Sequence, residues 1–244
     1  TPTPTRTPTP TGTPGSPGRV CLPLVLKGQP LPPPATPTPT LTPSPTVTRE
    51  IIRRTFQQGK DGYTGVQDTY IHEWYPNIPF GSNARLVARS YDHASILIRF
   101  DLSSIPTNAR VVSADLQLFS TDRTNMGSMH LNAYPMARPW SELNATWLLA
   151  DTGVAWTAPG ARASGFDYLD QLGDRTLVDR ILDWFKWNVR DMVQGWVANP
   201  STNYGLILKG IPGDDEAQVE YGFRASEHEN VNERPKLVVR YWVP

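Results

Sequence analysis

Val111-Val-Ser-Ala-Asp-Leu-Gln-Leu-Phe119 decides the fold. Val112, Ala114, Leu116 and Leu118 alternate with polar neighbours, the period of a strand with one face on a core and the other in solvent. The same reading applies to Ser95-Ile-Leu-Ile-Arg-Phe-Asp101, where Ile96, Ile98 and Phe100 share a face. Outward from these two, short segments recur between turn residues: 51–56, 66–72, 85–90, 95–101, 110–119, 128–136, 183–189, 204–209, 218–224 and 236–243. Many short strands at this spacing predict an all-β fold, a jelly-roll-like antiparallel β-sandwich. Arg190-Asp-Met-Val-Gln-Gly-Trp-Val197 breaks the pattern. Its Met192, Val193, Trp196 and Val197 have helical spacing, which predicts one short helix ending near Asn199-Pro200. Residues 141–180 have weak periodicity and read as loop-rich.

The sandwich is preceded by a different kind of chain. Of 25 prolines, 15 lie before Val47. Residues 1–18 and 32–46 alternate Thr or Ser with Pro, which forbids helix and central strand and keeps the backbone extended. The predicted division is therefore an extended polyproline-like arm at 1–48 and a sandwich domain at 49–244. Thr/Ser tracts with Pro have the composition of O-glycosylated stalks. That makes Thr1, Thr3, Thr5, Thr7, Thr9, Thr11, Thr13, Thr36, Thr38, Thr40, Thr42, Ser44 and Thr46 glycosylation candidates; a bare linker has the same composition. The arm has one apolar patch, at 20–27, where Val20, Leu22, Leu24 and Leu26 share a face at period two. Pro23 points the other way, which an edge strand tolerates. Such a strand needs a sheet edge on its own domain or on another copy.

Charge and motifs exclude several function classes. The 23 basic and 23 acidic residues cancel, which gives no support for nucleic acid or an anionic membrane as partner. The longest apolar run, Val20–Leu26, contains Pro23 and is far short of the ~18 residues of a membrane span. Export of a chain that starts at Thr1 would rest on a removed signal. The single cysteine, Cys21, forms no internal disulfide. It reads as a small buried hydrophobe or as a bond to another copy. His72, His93, His130 and His228 are scattered without a metal-ligand spacing, and no nucleophile motif or phosphate loop occurs. The chain reads as non-enzymatic and without a cofactor. The acidic turn Asp214-Asp-Glu216 is a weak structural-calcium candidate, with a solvated loop as the plainer reading. Asp61 and Asp68 are a second such candidate. Glu142 and Glu227 read as structural, with Glu227 paired to Arg224 or capping a turn.

The aromatic residues offer a different chemistry. Exposed rings with polar neighbours stack on the apolar faces of sugars. Trp74, Tyr75 and Trp156 fall in loops. In Trp184-Phe-Lys-Trp-Asn188, alternation puts Phe185, Trp187 and Val189 on one face and Trp184 on the other. Trp74, Tyr75, Trp156 and Trp184 are the carbohydrate-stacking candidates, against the ordinary alternative that they anchor loops. Trp140, Trp147 and Trp196 read as core.

An ordered set of segments carries a family resemblance. It comprises Phe80-Gly-Ser-Asn-Ala-Arg-Leu-Val-Ala-Arg89, Ile96–Pro106, Ser113–Leu118, Trp140-Ser-Glu-Leu-Asn-Ala-Thr-Trp147, Asp191–Trp196, Asn203–Leu208, Phe223–His228 and Arg234–Tyr241. Over about 62–244 the chain resembles the DNRLRE-domain family of extracellular β-sandwich modules, some of them grouped with carbohydrate-binding modules. The resemblance implies a jelly-roll-like domain at the cell surface or outside the cell, without reaction chemistry. Two functions fit. In the first, the protein is a structural subunit that assembles head to tail into a fibre or surface layer, its arm strand docking on the next copy. In the alternative, it is a carbohydrate-binding module on a flexible stalk, attached to or associated with polysaccharide-processing proteins.

Overall fold

The computed structural model describes residues 49–244. The strands follow in the order β1 (Ile52–Gln57), β2 (Val66–His72), β3 (Arg85–Arg89), β4 (Ala94–Phe100), β5 (Arg110–Arg123), β6 (Met129–Pro135), β7 (Leu149–Asp151), β8 (Val154–Ala155), β9 (Asp174–Val178), β10 (Trp184–Asn188), β11 (Leu206–Pro212), β12 (Glu220–Arg224) and β13 (Lys236–Trp242). The helix α1 (Arg190–Ala198) lies between β10 and β11. All ladders joining these strands are antiparallel. Each of the ten expected segments overlaps a strand, and the helix falls where its spacing puts it. The proline-rich arm, with Val20, Leu22, Leu24, Leu26 and the Thr/Ser glycosylation candidates, lies outside the described residues.

The main sheet runs β1-β13-β5-β12-β3-β4-β11-β6-β9, with β10 added on β5 and β2 on β4. It curls into two layers, and β3 and β4 share only the Arg89–Ala94 pair. The long β5 carries β13 and β10 along its first part and β12 along its last. Ala114, Leu116 and Leu118 of β5, Leu237 and Val239 of β13, Phe185 and Trp187 of β10, Ile96 and Ile98 of β4 and Leu131 of β6 meet in one core. Trp187 crosses between the layers and donates its indole N–H to the Leu131 carbonyl at 2.8 Å. Met192, Val193, Trp196 and Val197 of α1 are buried in the same core.

One strand departs from its expected face. Val112 is 50% exposed and Val111 takes the core position. Between β5 and β13 the register steps from Ser113–Arg240 to Val111–Tyr241, so Val112 is an extra residue. A bulge of this kind turns over the alternation on one side of it.

The 141–180 region is not simply loop. β7, β8 and β9 lie in or at the end of it, and β9 pairs with β6. A second core forms on the outer face of β2, β4 and β11, where Ile71, Leu97 and Ile207 pack against Trp140, Trp147 and Trp156. Asp167 pins this covering segment: it is fully buried and accepts from the N–H groups of Thr157, Ala158 and Ala163 at 2.8–3.2 Å. These three N–H donors and the Arg138 guanidinium, 3.5 Å from Oδ1, together satisfy the buried carboxylate.

Candidate functional site

Strand β2 has neighbours of opposite character at its two ends. Its alternation puts Val66 and Tyr70 into the main core and Ile71 into the second one. Asp68 shares the inward face with Val66 and Tyr70. It is buried, and its Oδ2 accepts from the Ser226 N–H at 3.0 Å. Its own N–H donates to Glu142 Oε1 at 2.8 Å. Glu227, one residue beyond Ser226, accepts from the Ser226 hydroxyl at 2.7 Å. Asp68, Glu142 and Glu227 thereby each bring a carboxylate oxygen within 4.8 Å of the others. Asp68 Oδ1 has no hydrogen-bond partner.

The chain around the trio is built to hold it. Trp140 anchors the segment before Glu142 by donating its indole N–H to the Tyr204 carbonyl at 2.8 Å. Gly81, on the β2–β3 connection, packs on the Glu142 main chain so closely that a Cβ there would lie 2.0 Å from the Glu142 carbonyl oxygen. Only glycine fits that approach. Burial, then the charges of Glu227 and Glu142, push the Asp68 carboxyl well above the ordinary range, against the Ser226 N–H. Burial also raises Glu142; Asp68's N–H and the more distant Arg99 guanidinium oppose the rise and Glu227 adds to it.

The trio stands at the side of a cleft of about 680 Å³, whose lining includes Glu142 and Glu227. Gln58, Gln67, Arg99, Asp101 and Asn203 give it polar walls, and Phe100, Leu102 and Trp196 an apolar floor. Arg99 is hydrogen-bonded to Gln67. Asp68 is buried beneath Glu142 and Ser226 and cannot touch a sugar.

Beyond the other end of β2 the chain turns at once. Trp74 N–H donates to His72 Nδ1 at 3.1 Å and Tyr75 N–H to the His72 carbonyl at 3.1 Å. This tight turn lifts two consecutive rings into solvent, Trp74 56% and Tyr75 53% exposed. The Arg89 guanidinium lies 4.1 Å over one face of Trp74. Tyr75 meets the edge of Phe80 at 6.3 Å, and Phe80 stacks on Tyr70 at 4.1 Å. Beneath them Glu220 holds His72, Arg85 and Arg89, each at 3.5 Å. Burial would raise the Glu220 carboxyl, but the His72 hydrogen bond and the charges of Arg85, His72 and Arg89 bring it below an ordinary glutamate. Glu73, His93 and Arg162 form a polar border, with Glu73 2.5 Å from His93 and 3.6 Å from Arg162.

The other expected residues fall elsewhere. Trp156 is 4% exposed and donates its indole N–H to the Thr146 carbonyl at 2.8 Å, so it is second-core packing and offers no face to a sugar. Trp184 is half-buried, with the Lys236 ammonium 3.6 Å over its ring and Phe119 at 5.4 Å, so one face is already taken. Asp214, Asp215 and Glu216 are exposed; Asp215 accepts from the Ser128 and Ala217 N–H groups at 3.0 and 3.1 Å, which makes it a turn cap. Glu227 does not pair with Arg224, which bonds Glu233 at 2.9 Å. Asp68 is grouped with Glu142 and Glu227, not with Asp61, which occupies the turn after β1.

Among the described residues no helix is long and apolar enough to cross a membrane. No curated protein matches the chain. The model of carbohydrate-binding module family 96 matches residues 60–157. That span contains Asp68, Trp74, Tyr75, Gly81 and Glu142, and ends before Glu227. The likeness points to carbohydrate binding and to a family of binding modules rather than of enzymes.

Proposed function

We propose that this protein is an extracellular, non-catalytic carbohydrate-binding protein whose sugar platform is the Trp74–Tyr75 pair. The family match over 60–157 carries this reading, and the exposed pair lies inside the matched span. A pyranose ring laid on the open side of Trp74 would gain stacking on its apolar face. Glu73, His93 and Arg162 would supply hydrogen bonds around the rim. Arg89 behind the ring fixes its tilt before ligand arrives, which lowers the ordering cost of binding. The alternative of head-to-tail assembly rests on Val20, Leu22, Leu24 and Leu26, outside the described residues, and has no second observation behind it.

Affinity electrophoresis of the full chain through gels carrying neutral or acidic polysaccharides tests the proposal. Retardation by at least one polymer, lost in Trp74→Ala and reduced in Tyr75→Ala, is expected. Free migration through every gel, or retardation unchanged in the double variant, would refute it.

A further inference from the structure

We infer that Asp68, Glu142 and Glu227 form a calcium site beside the 680 Å³ cleft. Three observations converge. Their carboxylate oxygens lie within 4.8 Å of one another, a spread that oxygen ligands on opposite sides of calcium reach, at about 2.4 Å each. Asp68, whose carboxylate is one of the three, is 1% exposed, and its Oδ1 has no hydrogen-bond partner. A buried acceptor without a donor is destabilising unless an unseen ion or water satisfies it. The third observation is construction: Gly81 lets the Glu142 main chain approach, Glu142 is tied to Asp68 N–H, and Ser226 bonds both Asp68 and Glu227. The carboxylates are thus held facing one another, where their charges repel, by contacts from three separate parts of the chain.

The donor set selects the class of cation. All three ligands are carboxylates and none is an imidazole or thiol, which favours a hard cation over zinc or copper. Calcium accepts a mixed and irregular set of carboxylates and waters; magnesium demands near-ideal octahedral geometry and gives up its water reluctantly. Water from the cleft can complete the sphere on the Glu227 side, where the carboxylate is exposed. The site stands apart from the Trp74–Tyr75 platform and does not depend on sugar binding.

Calorimetric titration of calcium chloride into the chelator-stripped, desalted full chain, with a thermal melt alongside, tests the inference. One calcium per chain is expected, with a melting temperature that rises with calcium concentration and a magnesium response at least about tenfold weaker. Asp68→Asn should abolish the response. Glu227→Gln changes an exposed side chain and leaves folding intact; it should weaken affinity by about tenfold or more. Trp74→Ala should keep the full calcium response, so failure of sugar binding and failure of the metal site are separately visible. Absence of both heat and melting shift in the native chain would overturn the site. So would native affinity in Glu227→Gln and Asp68→Asn, or an equal response to magnesium.

Discussion

Asp68, buried on strand β2, and Glu220, half-buried beside the strand's other end, meet opposite fates. Glu220, beneath the aromatic end, is surrounded by His72, Arg85 and Arg89, and its carboxyl lies below an ordinary glutamate despite its burial. Asp68, at the cleft end, faces Glu142 and Glu227, and its carboxyl is pushed well above the ordinary range. Desolvation acts on both; the difference lies in the sign of the neighbours. At the aromatic end the carboxylate meets basic side chains, and the Trp74 and Tyr75 rings face outward. The carboxylate end is incomplete by itself and calls for positive charge from solution. A fold can therefore place a platform that waits for a neutral or polar ligand and a cage that waits for a cation at opposite ends of one seven-residue strand.

The β2–β3 connection joins the two ends, since it carries Trp74 and Tyr75 near its start and Gly81 near its close. Gly81→Ala should have the largest effect. A Cβ placed 2.0 Å from the Glu142 carbonyl oxygen forces the two segments apart, with an expected loss of about 3 kcal/mol in urea unfolding. It should weaken the calcium response and the sugar response together, because one loop serves both. Unchanged stability would show that the Glu142 segment moves freely and would separate the two ends.

Asp68→Asn sharpens the contrast through a reversal of sign. In chelator it replaces a buried carboxyl group whose Oδ1 lacks a partner, and stability near pH 7 should rise by about 2 kcal/mol. In excess calcium the same variant should be less stable than the native chain, because only the native chain gains from binding. A variant that is destabilised in both conditions would mean the carboxyl is already satisfied within the protein.

Glu220→Gln is the matching change at the other end and should not reverse. Loss of the charge leaves His72, Arg85 and Arg89 facing one another, at a cost of about 1.5 kcal/mol near neutral pH. The native carboxyl has a lower pKa folded than unfolded. Its contribution is therefore present in full above the ordinary glutamate value of about 4.3 and is lost as pH falls through the folded value. Native and variant stabilities, measured by urea titration from pH 7 to pH 3, should converge at the acid end. A gap that persists there would locate the cost in packing instead of charge.

The extent to which the sequence foretold this arrangement follows from the range of each signal. β2 and β4 could be read because alternation is local, and α1 because four apolar residues keep helical spacing. β9 could not: in Asp174-Arg-Thr-Leu-Val178 only Val178 is buried, and apolar Leu177 is exposed beside it, so no apolar face stands out in the sequence. Val112 was misplaced because a bulge depends on the partner strand β13, which lies far along the chain. The carboxylate trio escaped for the same reason. Asp68 is 74 residues from Glu142 and 158 from Ser226, and only the folded edge of β2 brings them together. Trp74 and Tyr75 could be picked out because they fall in a loop, outside the alternating segments. Trp156 looked alike in sequence, but its indole N–H finds the Thr146 carbonyl inside a core made by irregular chain.

The smallest expected change in stability belongs to Trp74→Ala. The ring is 56% exposed, its turn is held by main-chain donors to His72, and Arg89 keeps Glu220 without it. Urea unfolding should therefore shift by less than about 0.5 kcal/mol. Binding of a retained polysaccharide should fall by about tenfold or more, since a stacked aromatic contributes ~1 kcal/mol beyond the area it covers. Those two numbers together make the residue a ligand contact. A large loss of stability would instead show that Arg89 depends on the indole for its position. The ring would then belong to the Glu220 cluster beneath it, and Tyr75 alone would be left to face the sugar.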